Sequence, residues 1–145
     1  MSAHPRIIGY LQRAVNHELL AVQQCILQAA TASSLGLMAL ADRLRSDAHD
    51  ELGHAEAFAS RLLHCGAGVH ASQSRAPCVG RTRLEILHFG LATEADAVRL
   101  YSEAGAFCAR IGDDANHALF NRICADERHH QQEIERALKA YEGAR

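Results

Sequence analysis

One spacing constrains this chain more than any other. Glu18 is followed 33 residues later by Glu51 and then by His54, and the same set recurs 76 residues on as Glu94, Glu127 and His130. The surrounding residues repeat with it: Leu11 falls on Leu87, Val15 on Leu91, Val22 on Val98, Leu44 on Phe120, Phe58 on Ile134 and Leu62 on Leu138. Such a repeat places equivalent residues face to face in a pseudo-symmetric structure.

The apolar spacing is helical almost throughout, at i, i+3, i+4 and i+7, with no period-two segment. Two prolines, Pro5 and Pro77, leave long uninterrupted stretches between them. The pattern predicts helix one from about Pro5 to about Ala32, a turn and cap at Ser33-Ser34-Leu35-Gly36, and helix two to about Cys65, stopped by Gly66 and Gly68. Residues 66 to 81 lack periodicity and read as the one long loop. Thr82 and Glu85 form a capping-box signature for helix three. That helix ends at Gly112, and Asp113 or Asp114 caps helix four, which reaches about Tyr141.

Two tight turns join antiparallel helices roughly 42 Å long, at 1.5 Å per residue. The central loop can span roughly 53 Å at 3.3 Å per residue. That reach permits a crossover running the length of a helix, and a simple up-down bundle is also open to it. At 145 residues the chain is one domain in this reading, residues 1–145.

Glu18 shares a helix face with Leu11, Val15, Val22 and Cys25, and Glu94 with Leu87, Leu91, Val98 and Tyr101. Glu51 lies in line with Leu44, Ala48, Ala55 and Phe58, and Glu127 with Phe120, Cys124 and Ile134. All four carboxylates therefore face the core, each about 16 residues from its turn and so in one layer. Unpaired, they would cost more than a domain's whole stability. A buried polar layer with Arg13, Arg45 or Arg128 as counterions is the alternative, and those arginines fall off the glutamate stripes.

His54 and His130 supply another answer. One glutamate from each of two helices, plus Glu-x-x-His from each of the other two, is the carboxylate di-iron ligand set. Two divalent cations balance four carboxylates, and oxygen-rich ligation with some imidazole suits iron or manganese. His17, His49 and His129 flank these positions without sharing their face and read as surface histidines. Asp47 and Asp50 either guide cations inward or sit on an ordinary solvated face, and the solvated face is the expectation.

The remaining composition excludes more than it proposes. Net charge is −2 with histidines neutral, which argues against nucleic acid, and no apolar run is long enough for a membrane span. His17 and Glu18 interrupt the segment where a signal peptide needs an apolar stretch, so a cytoplasmic location is expected. Five cysteines (Cys25, Cys65, Cys78, Cys108 and Cys124) form no CxxC pair and are expected to be reduced, packed as small hydrophobes.

From Ile7 to about Tyr141 the sequence resembles the bacterioferritins. The motifs that carry the likeness are Asn16-His17-Glu18-Leu19-Leu20-Ala21, Asp50-Glu51-Leu52-Gly53-His54-Ala55, Leu91-Ala92-Thr93-Glu94 and Asp126-Glu127-Arg128-His129-His130. The resemblance implies an all-α, ferritin-like antiparallel four-helix bundle with a long crossover between helices two and three. It implies a ferroxidase for iron storage and detoxification that takes Fe(II) and O2 or H2O2, with two iron ions per chain. Glu18 and Glu94 would be terminal ligands, Glu51 and Glu127 bridging ligands, and His54 and His130 the imidazole ligands. It further implies a homo-oligomer, at least a dimer and up to a 24-subunit shell.

Three positions depart from that pattern. Leu52 stands where the family carries a haem-ligating methionine and has no donor atom, so haem would need a methionine from a partner subunit in a mixed shell. The sequence given stops at Arg145, where the family continues into a short fifth helix. Cys25 stands where the family often has an aromatic residue. These departures keep two other readings open: a small dimeric di-iron oxidase or peroxidase that stores no mineral, and a haem-free subunit of a mixed shell.

Overall fold

A computed structural model describes residues 3–72 and 75–144. Gln73 and Ser74, in the middle of the expected loop, lie outside the described residues, as do Met1, Ser2 and Arg145 at the ends of the single domain read from the sequence. Four helices form: α1 (Pro5–Ser34), α2 (Met38–His64), α3 (Arg83–Arg110) and α4 (Asp114–Gly143). No strand occurs among the described residues.

The helix starts follow local chemistry. Pro5 opens α1, with the His4 ring accepting from the Arg6 N–H at 3.1 Å. Thr82 caps α3 by accepting from the Glu85 N–H at 3.2 Å, and the Glu85 carboxylate returns to the Arg81 N–H at 2.7 Å. Asp113 is the cap of α4, accepting from the Asn116 N–H at 3.1 Å.

The first turn begins later than its serines suggest. Ser34 donates back to the Thr31 carbonyl at 2.7 Å and stays in α1 instead of capping α2. The turn is made by residues 35–37, and the α2 cap, Leu37, makes no side-chain capping bond. Gly36 and Gly112, 76 positions apart, both take φ 75°, the left-handed conformation that closes a helix tightly enough for an antiparallel return. The Leu37 N–H then reaches the Ala32 carbonyl and the Asp113 N–H the Cys108 carbonyl, each at 2.9 Å.

The topology is the crossover one. Tyr10, near the start of α1, donates to Glu103 near the end of α3, while Gln28, near the end of α1, reaches Ile86 at the start of α3; the two helices are antiparallel. Arg61 of α2 reaches Asn116 of α4 and Arg43 reaches Glu133, so this pair is antiparallel too. The link between α2 and α3 must therefore travel the bundle's length. It does so along α1, held by a ladder of amide side chains. Gln12 exchanges hydrogen bonds with the His70 backbone, Asn16 accepts from the Ser72 N–H, Gln24 donates to the Cys78 carbonyl and Gln28 to the Val79 carbonyl. These four lie at multiples of i+4, one stripe of the helix.

The core divides around the glutamate layer. Toward one end, Phe58, Tyr101 and Phe120 stack with ring centroids 5.1–6.1 Å apart, above Ile7, Leu11 and Leu62. Toward the other, Leu44 and Ile86 pack with small alanines, and Leu87, Ile134 and Leu138 form a third cluster. Arg13, Arg45 and Arg128 stay away from the layer: Arg13 lies over the Tyr10 ring, Arg45 pairs with Asp42, and Arg128 donates to Ser102. Among the described residues no helix is long and apolar enough to cross a membrane.

Candidate metal centre

Glu18, Glu51, Glu94 and Glu127 are all buried at mid-helix, with His54 and His130 beside them. The structure brings the six residues singled out from the sequence close together. Their ligand atoms fall into two overlapping groups. Glu18, Glu51, His54 and Glu127 form one; Glu51, Glu94, Glu127 and His130 form the other, with atoms within 4.8 Å in each. Glu51 and Glu127 belong to both.

The two halves match closely. His54 Nδ1 lies 2.9 Å from Glu127 Oε1 and 3.6 Å from Glu18 Oε1. His130 Nδ1 lies 2.9 Å from Glu51 Oε1 and 3.7 Å from Glu94 Oε1. None of these close approaches has the alignment of a hydrogen bond. Glu18 Oε2, both oxygens of Glu51, Glu94 Oε2, Glu127 Oε1 and both Nδ1 atoms are buried without a hydrogen-bond partner. Buried polar atoms are rarely left so, and here they converge on one space. This donor set fits two hard or borderline divalent cations that share the two central carboxylates.

Proton affinities reflect the crowding. Burial pushes the Glu18 carboxyl up to about 8, and it raises Glu51 and Glu94 well above the usual carboxylate range. Burial acts against a charge on His130, but the adjacent carboxylates of Glu51 and Glu94 outweigh it and push the imidazole up to about 12. Burial likewise opposes a charge on Glu127, and His54 beside it wins, holding that carboxylate down at about 2. In the metal-free centre, protons carry the positive charge that cations would otherwise bring.

Residues outside the six complete the site. His54 Nε2 sits 3.0 Å from Asp126 Oδ2, and His130 Nε2 sits 3.0 Å from Asp50 Oδ2. A carboxylate on Nε2 fixes the tautomer that leaves Nδ1 free to ligate. The signal for both was present in the sequence, since each aspartate immediately precedes a bridging-position glutamate and the two share the 76-residue offset. Tyr101, buried on α3, donates to Glu18 Oε1 at 2.6 Å.

Several flanking expectations need correction. Asp47 is buried, not on a solvated face, because its turn of α2 packs toward α4; it lies 3.8 Å from His130 Nε2 and 4.0 Å from Arg43. Asp50 is exposed but engaged by His130. His17 is half-buried, bonded to the Thr93 carbonyl at 3.2 Å and edge-on to Tyr101, and burial lowers its pKa. His49 and His129 are exposed as expected, at the rim of a cleft of about 470 Å³ between α2 and α4. Asp50, Asp126 and both site imidazoles line that cleft, which lies against the outer side of the centre. All five cysteines are free; four are buried as small hydrophobes, while Cys78 is exposed on the crossover.

The ferritin-like domain family matches residues 8–144. A bacterioferritin from Rhodobacter capsulatus is 28% identical over 142 residues, covering 98% of this chain and 88% of that one. One from Brucella melitensis biotype 1 is 30% identical over 139 residues, covering 95% and 86%. A solved structure of Rhodobacter capsulatus bacterioferritin, described with a metal-free dinuclear site and haem iron in a crystallographic special position, superposes with a TM-score of 0.94 over 98% of this chain and 89% of that one. Fold, buried carboxylate layer and near full-length likeness agree, and the chain belongs to the bacterioferritins within the ferritin-like family.

Proposed function

We propose that this chain is a ferroxidase subunit that takes up two Fe(II) ions as substrate and oxidises them with O2 or H2O2, for iron storage and detoxification. The observation that carries the reading is the pair of four-residue sets sharing Glu51 and Glu127. One iron is held by Glu18 and His54, the other by Glu94 and His130, and the shared glutamates bridge them. The oxidant takes one electron from each iron, and four carboxylates in a buried site favour Fe(III) over Fe(II). Burial of all six ligands between the helices keeps reactive oxygen species from bulk water.

The chain is read as assembling with copies of itself. An apolar groove on the α1–α2 face, lined by Val15, Leu19, Leu52, Ala59 and Val69, supports a partner there. Leu52 lies exposed in that groove without a donor atom, so haem at this position calls for a methionine from a different subunit. That observation favours a haem-free subunit of a mixed shell as the second reading.

Stopped-flow absorbance on metal-free protein given two Fe(II) per chain in air tests the reading, with light scattering for particle mass. A fast phase that saturates at two irons is the expected result, and Glu18→Ala slows it severely in a bundle that remains folded. A large shell mass goes with storage, and a dimer mass moves the assignment to a small di-iron oxidase. An unchanged rate in Glu18→Ala would sink the site assignment.

A further inference from the structure

The pseudo-symmetry of the two half-sites breaks at the hydrogen bonding of the two terminal glutamates, Glu18 and Glu94. Tyr101 is fully buried on α3, and its hydroxyl donates to Glu18 Oε1 at 2.6 Å. Subtracting 76 from its number gives Cys25 on α1, buried and carrying a thiol, a weak donor, in place of the phenol. Glu94, the counterpart of Glu18, therefore lacks the phenol's bond. Its Oε2 is buried without a hydrogen-bond partner, and its Oε1 lies 3.7 Å from His130 Nδ1. The ring that holds Glu18 is itself fixed, with Phe58 at 5.1 Å and Phe120 at 6.1 Å; their counterparts, Ile134 and Leu44, are aliphatic.

We propose that Tyr101 is a positioning residue that makes the Glu18–His54 half-site the first to fill with a divalent cation, and the Glu94–His130 half-site the second. The inference rests on the two-cation reading of the six residues. A cation that binds a glutamate must freeze its side chain; for Glu18 the phenol has done so beforehand, while for Glu94 the cost falls on binding. Freezing a glutamate side chain is worth roughly tenfold in affinity. A competing effect runs the other way, because a hydrogen bond draws charge from the carboxylate. It is the smaller one here: the donor is neutral and occupies Oε1, and Oε2 is left unpartnered for the metal.

The test is an anaerobic titration of the metal-free protein with Co(II), read by d–d absorbance and calorimetry. Repulsion between two cations alone would give two steps, so the decision lies with the variants. Tyr101→Phe keeps the ring between Phe58 and Phe120 and removes only the hydroxyl. It is expected to weaken the first step roughly tenfold, leave the second unmoved and bring the two together. A merely structural hydroxyl would shift both steps alike. Single-site forms then identify the halves: His130→Ala retains the tight step and His54→Ala the weak one. Unchanged separation in Tyr101→Phe, or equal affinities in the two histidine variants, overturns the proposal while leaving the two-cation site intact. Failure of the wild-type protein to bind Co(II) overturns both.

Discussion

His54 is tied to the opposite hairpin through its outer nitrogen, Nε2, which lies 3.0 Å from Asp126 Oδ2. Asp126 therefore orients an imidazole that arrives from α2 and raises the basicity of the nitrogen facing the site. Asp126→Ala should weaken Fe(II) or Co(II) binding by about 10–100-fold. Because Asp126 is exposed, the same change should alter folding stability by only about 0.5 kcal/mol or less. Equal metal affinity in the variant would mean that the contact does not orient the ligand.

The metal-free protein should lose stability as pH rises from 6.5 to 8. In this window an unfolded chain has released its carboxyl protons and is releasing those of its histidines. The folded centre keeps a proton on Glu18 until about pH 8 and on His130 until about pH 12, because both are raised above their unfolded values. The folded state thus binds more protons, and stability falls at about 1.4 kcal/mol per pH unit for each proton retained. Groups with lowered pKa do not reverse the trend: Glu127 is ionised in both states, and His17, half-protonated in the unfolded chain at about pH 6.5, adds at most about 0.4 kcal/mol as that form deprotonates. Calorimetric melting at pH 6.5 and 8, without and with two Co(II) per chain, checks this. The metal should raise the melting temperature more at pH 8, where fewer protons compete with it. A metal-free melting temperature that rises over this window would contradict the assigned directions.

The six candidate ligands were legible in the sequence because helical period and a 76-residue repeat are both local arithmetic. Glu18 and Glu94 sit in apolar stripes that can face only a core, and that held in the structure. Asp47 and Tyr101 were harder, for a physical reason. Asp47 lies at the edge of the buried stripe of α2, with Leu44 and Glu51 buried on one side and Ser46 and Asp50 exposed on the other, and its burial is decided by how α2 meets α4. The bond from Tyr101 to Glu18 depends on the register of α3 against α1, which no single-helix pattern contains. The crossover path was hidden similarly. Gln12, Asn16, Gln24 and Gln28 form a polar stripe that reads as solvated until a second segment lies along it.

Phe58 should be a stability hot spot as well as a neighbour of the site. It is fully buried and contacts the rings of both Tyr101 and Phe120. Phe58→Ala is expected to cost about 3–5 kcal/mol through lost burial and a cavity that helices on all sides can only partly close. Equilibrium denaturation of the metal-free protein measures this. A loss below about 1 kcal/mol would show that the aromatic cluster collapses easily around the gap.

The amide ladder along α1 gives a contrast between two similar residues at its ends. Gln12 exchanges two hydrogen bonds with the His70 backbone, at 2.6 and 3.2 Å, in an exposed setting where water can replace them. Gln28 is fully buried and donates to the Val79 and Ile86 carbonyls at 3.0 and 3.1 Å. The bond to Ile86 is fully buried and the one to Val79 partly so, and removing the donor leaves acceptors that water replaces less well than at Gln12. Gln28→Met, which conserves volume, should cost about 1–3 kcal/mol, while Gln12→Ala should cost about 0.5 kcal/mol or less. Hydrogen exchange should register the difference locally, with faster exchange around Val79 and the start of α3 in Gln28→Met. If Gln12→Ala proves as costly as Gln28→Met, burial does not set the strength of the ladder. The crossover would then be anchored at its exposed end, and its attachment near α3 would be the part free to move.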